Sequence, residues 1–234
     1  MTKDLDPRHL FDDKISFGHM SHEQADKWVR DVRNAEEAGS REHEKWNRVE
    51  CAYANFMFEV MDATNFKFDP ECVANTPGRV ARLMKEMIIG EEECKRLLDA
   101  AFKTFESSTP EMIVFEDIRC TSLCPHHILP VTFKCAIGYI PNGVVIGASK
   151  FERVARAIAR RPVLQEQLCW DIADAIDKRL KPKGVGVVMS GVHTCMTCRG
   201  VKSNSRMVTS AMRGVFLSEH TAKDEFLKLA GYGK

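Results

Sequence analysis

Apolar residues recur every three to four positions through the first part of the chain, then switch to alternation. From Val49 they fall at Tyr53, Phe56, Met57 and Val60, a stripe along one side of a helix. Thr76-Pro77 reads as an N-cap followed by a first-turn proline. It predicts a second helix with Val80, Leu83, Met84, Met87 and Ile88 inward, and with Arg79 and Arg82 on another face. A third helix is predicted over 91–105. The texture changes near residue 110. Residues 112–124 and 131–140 are β-prone, and Val131, Phe133, Cys135, Ile137 and Tyr139 alternate onto one face. Pro141-Asn142-Gly143 marks a turn, and 144–148 reads as a further strand. Ser149 and Glu152 have the spacing of a capping box, opening a helix that buries Phe151, Val154, Ala155 and Ile158. Pro162 breaks it and starts another, with Leu164, Leu168, Ile172, Ala175 and Ile176 inward, which ends at Lys181-Pro182-Lys183-Gly184. Residues 185–196 and 206–211 are the last strands, before a short helix over 221–229. Two strands, two helices and two strands predict an α+β sheet backed by helices.

This pattern divides the chain into a charged arm over 1–45, a helical region over 46–108 and a main domain over 109–234. Four of the eight histidines (His9, His19, His22, His43) lie in the arm, irregularly spaced and with no cysteine among them, which reads as a peripheral segment rather than a metal site. A hydrophobic share of 44% and a charged share of 29% supply an ordinary core and surface. The net charge of +1 excludes a bulk attraction to nucleic acid or membrane, so any basic site is local. No apolar run approaches the roughly 18 residues of a membrane span, and the first residues are polar rather than a signal peptide. Both point to a cytoplasmic protein. Its nine cysteines are then core fillers or metal ligands rather than disulfides. Cys51, Cys72, Cys94 and Cys169, in helical stretches, are expected to be core residues.

Two segments concentrate soft ligands: Cys120, Cys124, His126 and His127, and then His193, Cys195 and Cys198. Zinc favours thiolate and imidazole donors, and catalytic zinc sites use three protein ligands and keep one position for water. Cys124 and His127 at a strand-to-turn transition can bend onto one ion. In an extended run, His193 and Cys195 point to the same face. On spacing alone three readings stay open: an open zinc site, a closed site of Cys124, His127, Cys195 and Cys198, and no metal.

The segments between them carry a resemblance. The stretches from Cys124 to Pro130, Gly138 to Pro141, Ile146 to Lys150, Arg160 to Glu166 and His193 to Val201 occur in order, followed by Thr209 to Phe216. Together they resemble the motif set of GTP cyclohydrolase I, over roughly residues 76–230. The resemblance implies a tunnelling fold, an antiparallel sheet backed by helices whose protomers close into a barrel, assembled as a decamer of two pentamers. It implies hydrolysis of GTP to 7,8-dihydroneopterin triphosphate and formate, at the entry to folate, biopterin and some deazapurine pathways.

The same resemblance implies that Cys124, His127 and Cys195 hold Zn2+, with Cys198 left out. His126, His193 and Ser149 would be catalytic, His193 as the proton donor to N7. Glu166 would accept the two adjacent donors of guanine, with Gln165 beside it. Lys150, Arg153 and Arg199 would meet the triphosphate, and Arg79 would reach in from a neighbouring subunit. Arg156 reads as a solvated helix residue. Related alternatives are a tunnelling-fold hydrolase of another purine triphosphate and a structural zinc module. The chain departs from the family pattern at Pro125, where Glu is usual, and at Gln167, where Arg is usual. It also carries Val131 and Phe133 where an aromatic residue and a glycine are common.

Overall fold

The computed structural model describes residues 41–233. The arm expected over 1–45, with His9, His19 and His22, lies outside them except for its last positions, which begin a helix; the His43 side chain also lies outside. The chain forms two compact units, Met1–Glu86 and Met87–Lys234.

The described part of the first unit is two helices, α1 (Arg41–Thr64) and α2 (Pro70–Met87). In α1 the buried stripe is Cys51, Ala54 and Met57, whereas Val49 and Phe56 are 37% and 57% exposed. Small side chains permit close approach, so the inward face is rotated from the line of bulky residues. Helix α2 begins two turns before the expected Thr76 cap, and Pro77 lies buried inside it. The N-cap and first-turn proline are Asp69 and Pro70: the Asp69 carboxylate accepts the Glu71 N–H at 2.9 Å, and its carbonyl accepts the Val73 N–H at 3.0 Å. The inward residues become Val73, Pro77, Gly78 and Ala81, and Leu83 is 49% exposed.

The second unit is built on a four-stranded antiparallel sheet of β2 (Ile113–Leu123), β3 (Pro130–Ile140), β5 (Gly184–His193) and β6 (Met207–Gly214), in that spatial order. Helix α3 (Glu91–Ala101) stops short of the predicted 105. The β-prone residues after it form β1 (Thr104–Glu106), which pairs with β4 (Val144–Ile146). Helices α4 (Ser149–Ala159) and α5 (Gln165–Leu180) connect β4 to β5. The capping box does not form: Ser149 is inside α4, and Glu152 instead pairs with Arg156 at 2.6 Å. Leu164 is 43% exposed just ahead of α5, while Leu168, Ile172, Ala175 and Ile176 are buried as expected. Lys181 ends α5 in the left-handed region at φ 48°.

Helices α3, α4 and α5 cover one face of the sheet. Cys94, Leu98, Phe151, Ile158, Leu168 and Ile172 meet Phe133, Ile137, Tyr139 and Val187 there in the main core. Helix α3, assigned from sequence to the N-terminal helical region, therefore belongs to this core. Between Phe115 and Ile118 the β2–β3 register shifts at a bulge, with Asp117 at φ 58°. A one-residue shift reverses the faces of a strand. Ile113 and Phe115 thus face the helices before it, and Cys120 and Ser122 after it.

The opposite face is only half covered. After β6, α7 (Val215–Ser218) and α8 (His220–Leu229) fold back, and Phe216 and Phe226 pack on Ala136, Val188 and Met212. Gly138 and Gly186 make room for the Phe226 ring; a Cβ at these positions would lie 2.5 and 2.9 Å from it. Farther along, the same face stays open at Thr132, Lys134 and Val192. Among the described residues no helix is long and apolar enough to cross a membrane.

Phe226→Ala should destabilise the protein by about 3–5 kcal/mol, and Gly138→Ala by roughly 1–3 kcal/mol through overpacking. In urea unfolding, Gly138→Ala should cost clearly less in the Phe226→Ala background. Equal costs in both backgrounds would mean that the ring does not set the glycine.

Candidate metal centre and active site

The strand order brings two loops together at one end of the sheet. Val131 pairs with His193, so the turn that leaves β2 and enters β3 stands beside the end of β5. That turn closes on itself: the Cys124 N–H donates to the Leu129 carbonyl at 2.8 Å, and the Ile128 N–H to the Cys124 carbonyl at 2.8 Å. Ile128 sits at φ 54°, a strained conformation for a β-branched residue. Strain of this kind persists where the surroundings fix the backbone, here the loop that carries His126 and His127. Pro125 lies exposed in the same turn.

Strand β5 ends at His193 rather than continuing to 196. Residues Thr194–Thr197 form one helical turn, α6, anchored by the Thr194 hydroxyl donating to the Pro130 carbonyl at 2.6 Å. His193 and Cys195 therefore do not share a strand face. Cys195 reaches the β2–β3 turn from the helical turn, while His193 points back toward α5.

The ligand atoms of Cys124, His127 and Cys195 all lie within 4.8 Å of one another. Cys124 Sγ is 3.7 Å from His127 Nδ1. A tetrahedral zinc ion holds a sulfur and a nitrogen ligand about 3.6 Å apart, so two thiols and one imidazole suit it in kind and spacing. Exposed Cys198 is not in this set. His126 stands close by, its Nδ1 3.9 Å from Cys124 Sγ. Burial, and then the neighbouring Cys124 thiol, raise the pKa of Cys195, so metal binding there must displace a proton. Arg199 Nη1 lies 3.1 Å from His127 Nε2. A guanidinium only donates and a neutral imidazole has one accepting nitrogen. A metal held through Nδ1 would leave the proton of His127 on Nε2, so that nitrogen could no longer accept from Arg199. A second group of possible ligands among the described residues, Asp69, Glu71 and Cys72, has exposed carboxylates and a half-buried thiol. Its carboxylates already serve the α2 cap and Arg79.

His193 is oriented by a buried glutamine. Gln165, 2% exposed, has its amide nitrogen 3.2 Å from the Met189 carbonyl, 2.9 Å from the Met207 carbonyl and 3.1 Å from Thr209 Oγ1. Its Oε1 can then only accept, and it lies 2.9 Å from His193 Nε2. His193 thus carries its proton on Nε2 and keeps Nδ1 for exchange. Phe133 meets the imidazole edge to face at 6.1 Å. Burial lowers the pKa of His193, with Glu166 pulling it partly back. A Cβ at Gly191 would lie 2.3 Å from Gln165 Oε1, so glycine is required there. The sequence marks Thr209 only as the start of the closing motif and gives no signal for Gly191; their place opposite Gln165 depends on strand register. Gln165, expected to touch substrate, has its side chain engaged within the protein.

Glu166 is exposed on the first turn of α5, near His193. Ser149 and Arg153 are exposed at the start of α4 and Lys150 is half-buried. Among the described residues these three make no hydrogen bond or ion pair to Cys124, His127 or Cys195. Arg79 pairs with Glu71 at 2.6 Å within the first unit.

The sequence profile of GTP cyclohydrolase I matches residues 53–231, beginning earlier than the motifs alone suggest. GTP cyclohydrolase 1 of Aquifex aeolicus is 46% identical over 69% of this chain and 85% of its own length. The enzyme of the same name from Desulforamulus reducens is 42% identical over 73% of this chain and 91% of its own.

Replacing Gln165 by Met leaves two carbonyls, a hydroxyl and an imidazole without its amide, at a cost of roughly 1–3 kcal/mol. Urea unfolding should show the loss, and Gly191→Ala should give a comparable one. An unchanged midpoint in Gln165→Met would mean that the network adds nothing net.

Proposed function

The chain belongs to the GTP cyclohydrolase I family, and from that premise we propose that it uses zinc held by Cys124, His127 and Cys195 to open the guanine imidazole ring of GTP. It acts as a GTP cyclohydrolase I, a hydrolase. The products are formate and 7,8-dihydroneopterin triphosphate. The observation that carries the reading is the convergence of two thiols and an imidazole within 4.8 Å, at the end of the sheet where His193 is held.

Bound zinc supplies a water activated near neutral pH. The protein's own groups do the rest. Glu166 accepts the N1–H and 2-amino donors of guanine side by side, which orients the ring. His193, with Nε2 tied to Gln165, exchanges its proton through Nδ1 and donates it to N7 as the ring opens. Its lowered pKa makes the imidazolium a stronger acid for that step. His126 and Ser149 handle protons in the later rearrangement. Lys150, Arg153 and Arg199 offset the triphosphate charge, and Arg199 is free to do so once His127 is ligated.

Arg79 joins the triphosphate side from a neighbouring subunit in a homo-oligomer. Strands β2 and β6 are the edges of the four-stranded sheet. Edge strands invite pairing with another chain, and a decamer of two stacked pentameric rings satisfies both edges.

The test measures bound zinc and formate release on one preparation, with GTP beside ATP and dGTP. Formate and an oxidisable pterin should appear with GTP. Cys124→Ser, His127→Ala and Cys195→Ser should each lose zinc, and Cys198→Ser should keep it. Equal zinc loss in Cys198→Ser would point to a closed, structural site.

Glu166→Gln sets a donor against the donors of guanine, a mismatch costing about 1–3 kcal/mol. GTP turnover should fall roughly 5- to 150-fold while zinc content stays normal. Wild-type turnover in this variant would remove Glu166 as the guanine anchor.

A further inference from the structure

The uncovered half of the outer sheet face forms a cavity of about 810 Å³ that the reaction above does not use. It crosses β2, β3 and β5 and passes the β2 edge toward α4. Its lining holds five cations, Arg119, Lys134, Arg156, Arg160 and Arg206, and no carboxylate. The whole chain carries only +1, so this positive field is local.

Strand register explains how the cations meet. Arg119 pairs with Lys134 across β2 and β3, and Lys134 with Ser190 across β3 and β5. Thr121 pairs with Thr132 in the next row. The floor thus sets Arg119, Lys134 and Ser190 in one row and Thr121, Thr132 and Val192 in the next, and each of its polar side chains can donate to an anion. Exposed Arg119 and Arg206 have no hydrogen-bond or ion-pair partner among the described residues. Lys134 is paired with Asp117, and Arg156 with Glu152, in exposed ion pairs. Such pairs are weak, so an anion with several charges can displace them.

We propose that this face is a second anion site, separate from the metal centre, that takes a polyphosphate chain. Its volume is that of a small-molecule site. Phe133 is the only aromatic in its lining and is 4% exposed, so no platform exists for stacking successive bases. Burial raises the pKa of Tyr232 in the C-terminal segment, and Lys134 and Arg206 of the lining partly offset it. Pairing of the β2 edge with another copy would close the way round to Arg156 and Arg160 but leave Arg119, Lys134 and Ser190 on the open face, because side chains stand perpendicular to the strand ladder.

The test is calorimetric titration of the full-length, zinc-loaded protein with inorganic triphosphate. The wild type should show a second class of sites beyond the one lost in Lys150→Ala/Arg153→Ala. Arg119→Ser/Arg206→Ser should weaken that second class by about tenfold or more while leaving zinc content and GTP turnover unchanged. The proposal is overturned if this variant binds triphosphate as the wild type does, or if Lys150→Ala/Arg153→Ala abolishes all binding. ATP is the second probe: equal occupancy by ATP identifies a nucleotide's polyphosphate as the ligand, and preference for triphosphate identifies free polyphosphate. A single-stranded oligonucleotide that binds more tightly than both, and is lost in the same variant, overturns the small-anion assignment. Formate release is followed in parallel, so failure of the proposed reaction is read separately from failure of this site.

Discussion

The unbroken ladder between β3 and β5 determines where the chemistry of the second unit is assembled. It runs from Val131 opposite His193 to Ile140 opposite Gly184. A shift of one residue would turn every side chain of one strand to the wrong face. Phe133 and Met189 would leave the core, and His193 would leave Gln165. The β2–β3 turn and the end of β5 are neighbours only because this register holds. The bulge at Asp117 serves the same end: it lets β2 stay paired with β3 along its length while its later residues present Cys120 and Ser122 inward.

The support beneath the centre is polar and buried. A buried amide that left its hydrogen bonds unmade would destabilise the fold, yet Gln165 sits in the core with every polar atom engaged. Its contacts reach α5, β5 and β6, so one side chain couples the orientation of His193 to three elements. Ser122, fully buried, does similar work by donating to the Arg161 carbonyl at 2.6 Å ahead of α5. The cluster of Cys124, His127 and Cys195 and the nearby His193 therefore stand on a frame whose own rotamers are held by hydrogen bonds. Such a frame is what a site needs to hold reacting groups in place.

The outer face shows the converse case. Half of it is closed by the C-terminal helix and needs glycine at 138 and 186 to admit Phe226. The other half is left to solvent and carries cations and hydroxyls. Two environments on one sheet face follow from where α8 stops, and the boundary falls near Tyr232 and Ser190.

Much of this was legible in the sequence. Alternation through β3, the apolar periodicity of α4 and α5, and the turn and stop signals around Gly143 and Lys181 are local properties of the chain. The soft ligands and the ordered motifs from Cys124 to Phe216 likewise identified the family without coordinates. What the sequence could not decide depended on contacts between distant segments. Asp69-Pro70 and Thr76-Pro77 are both acceptable helix starts by composition, and the buried position of Pro77 selected the first. The spacing of His193 and Cys195 suggested a shared strand face, but the Thr194 bond to Pro130 turns the chain helical and sends the two side chains to different partners. Gln165 reads from sequence as a substrate contact beside Glu166; the pairing of β5 with β6 adds that its amide nitrogen lies among the Met189 and Met207 carbonyls and the Thr209 hydroxyl. Periodicity records which residues avoid water; which neighbour each one meets is set by register and packing across the fold.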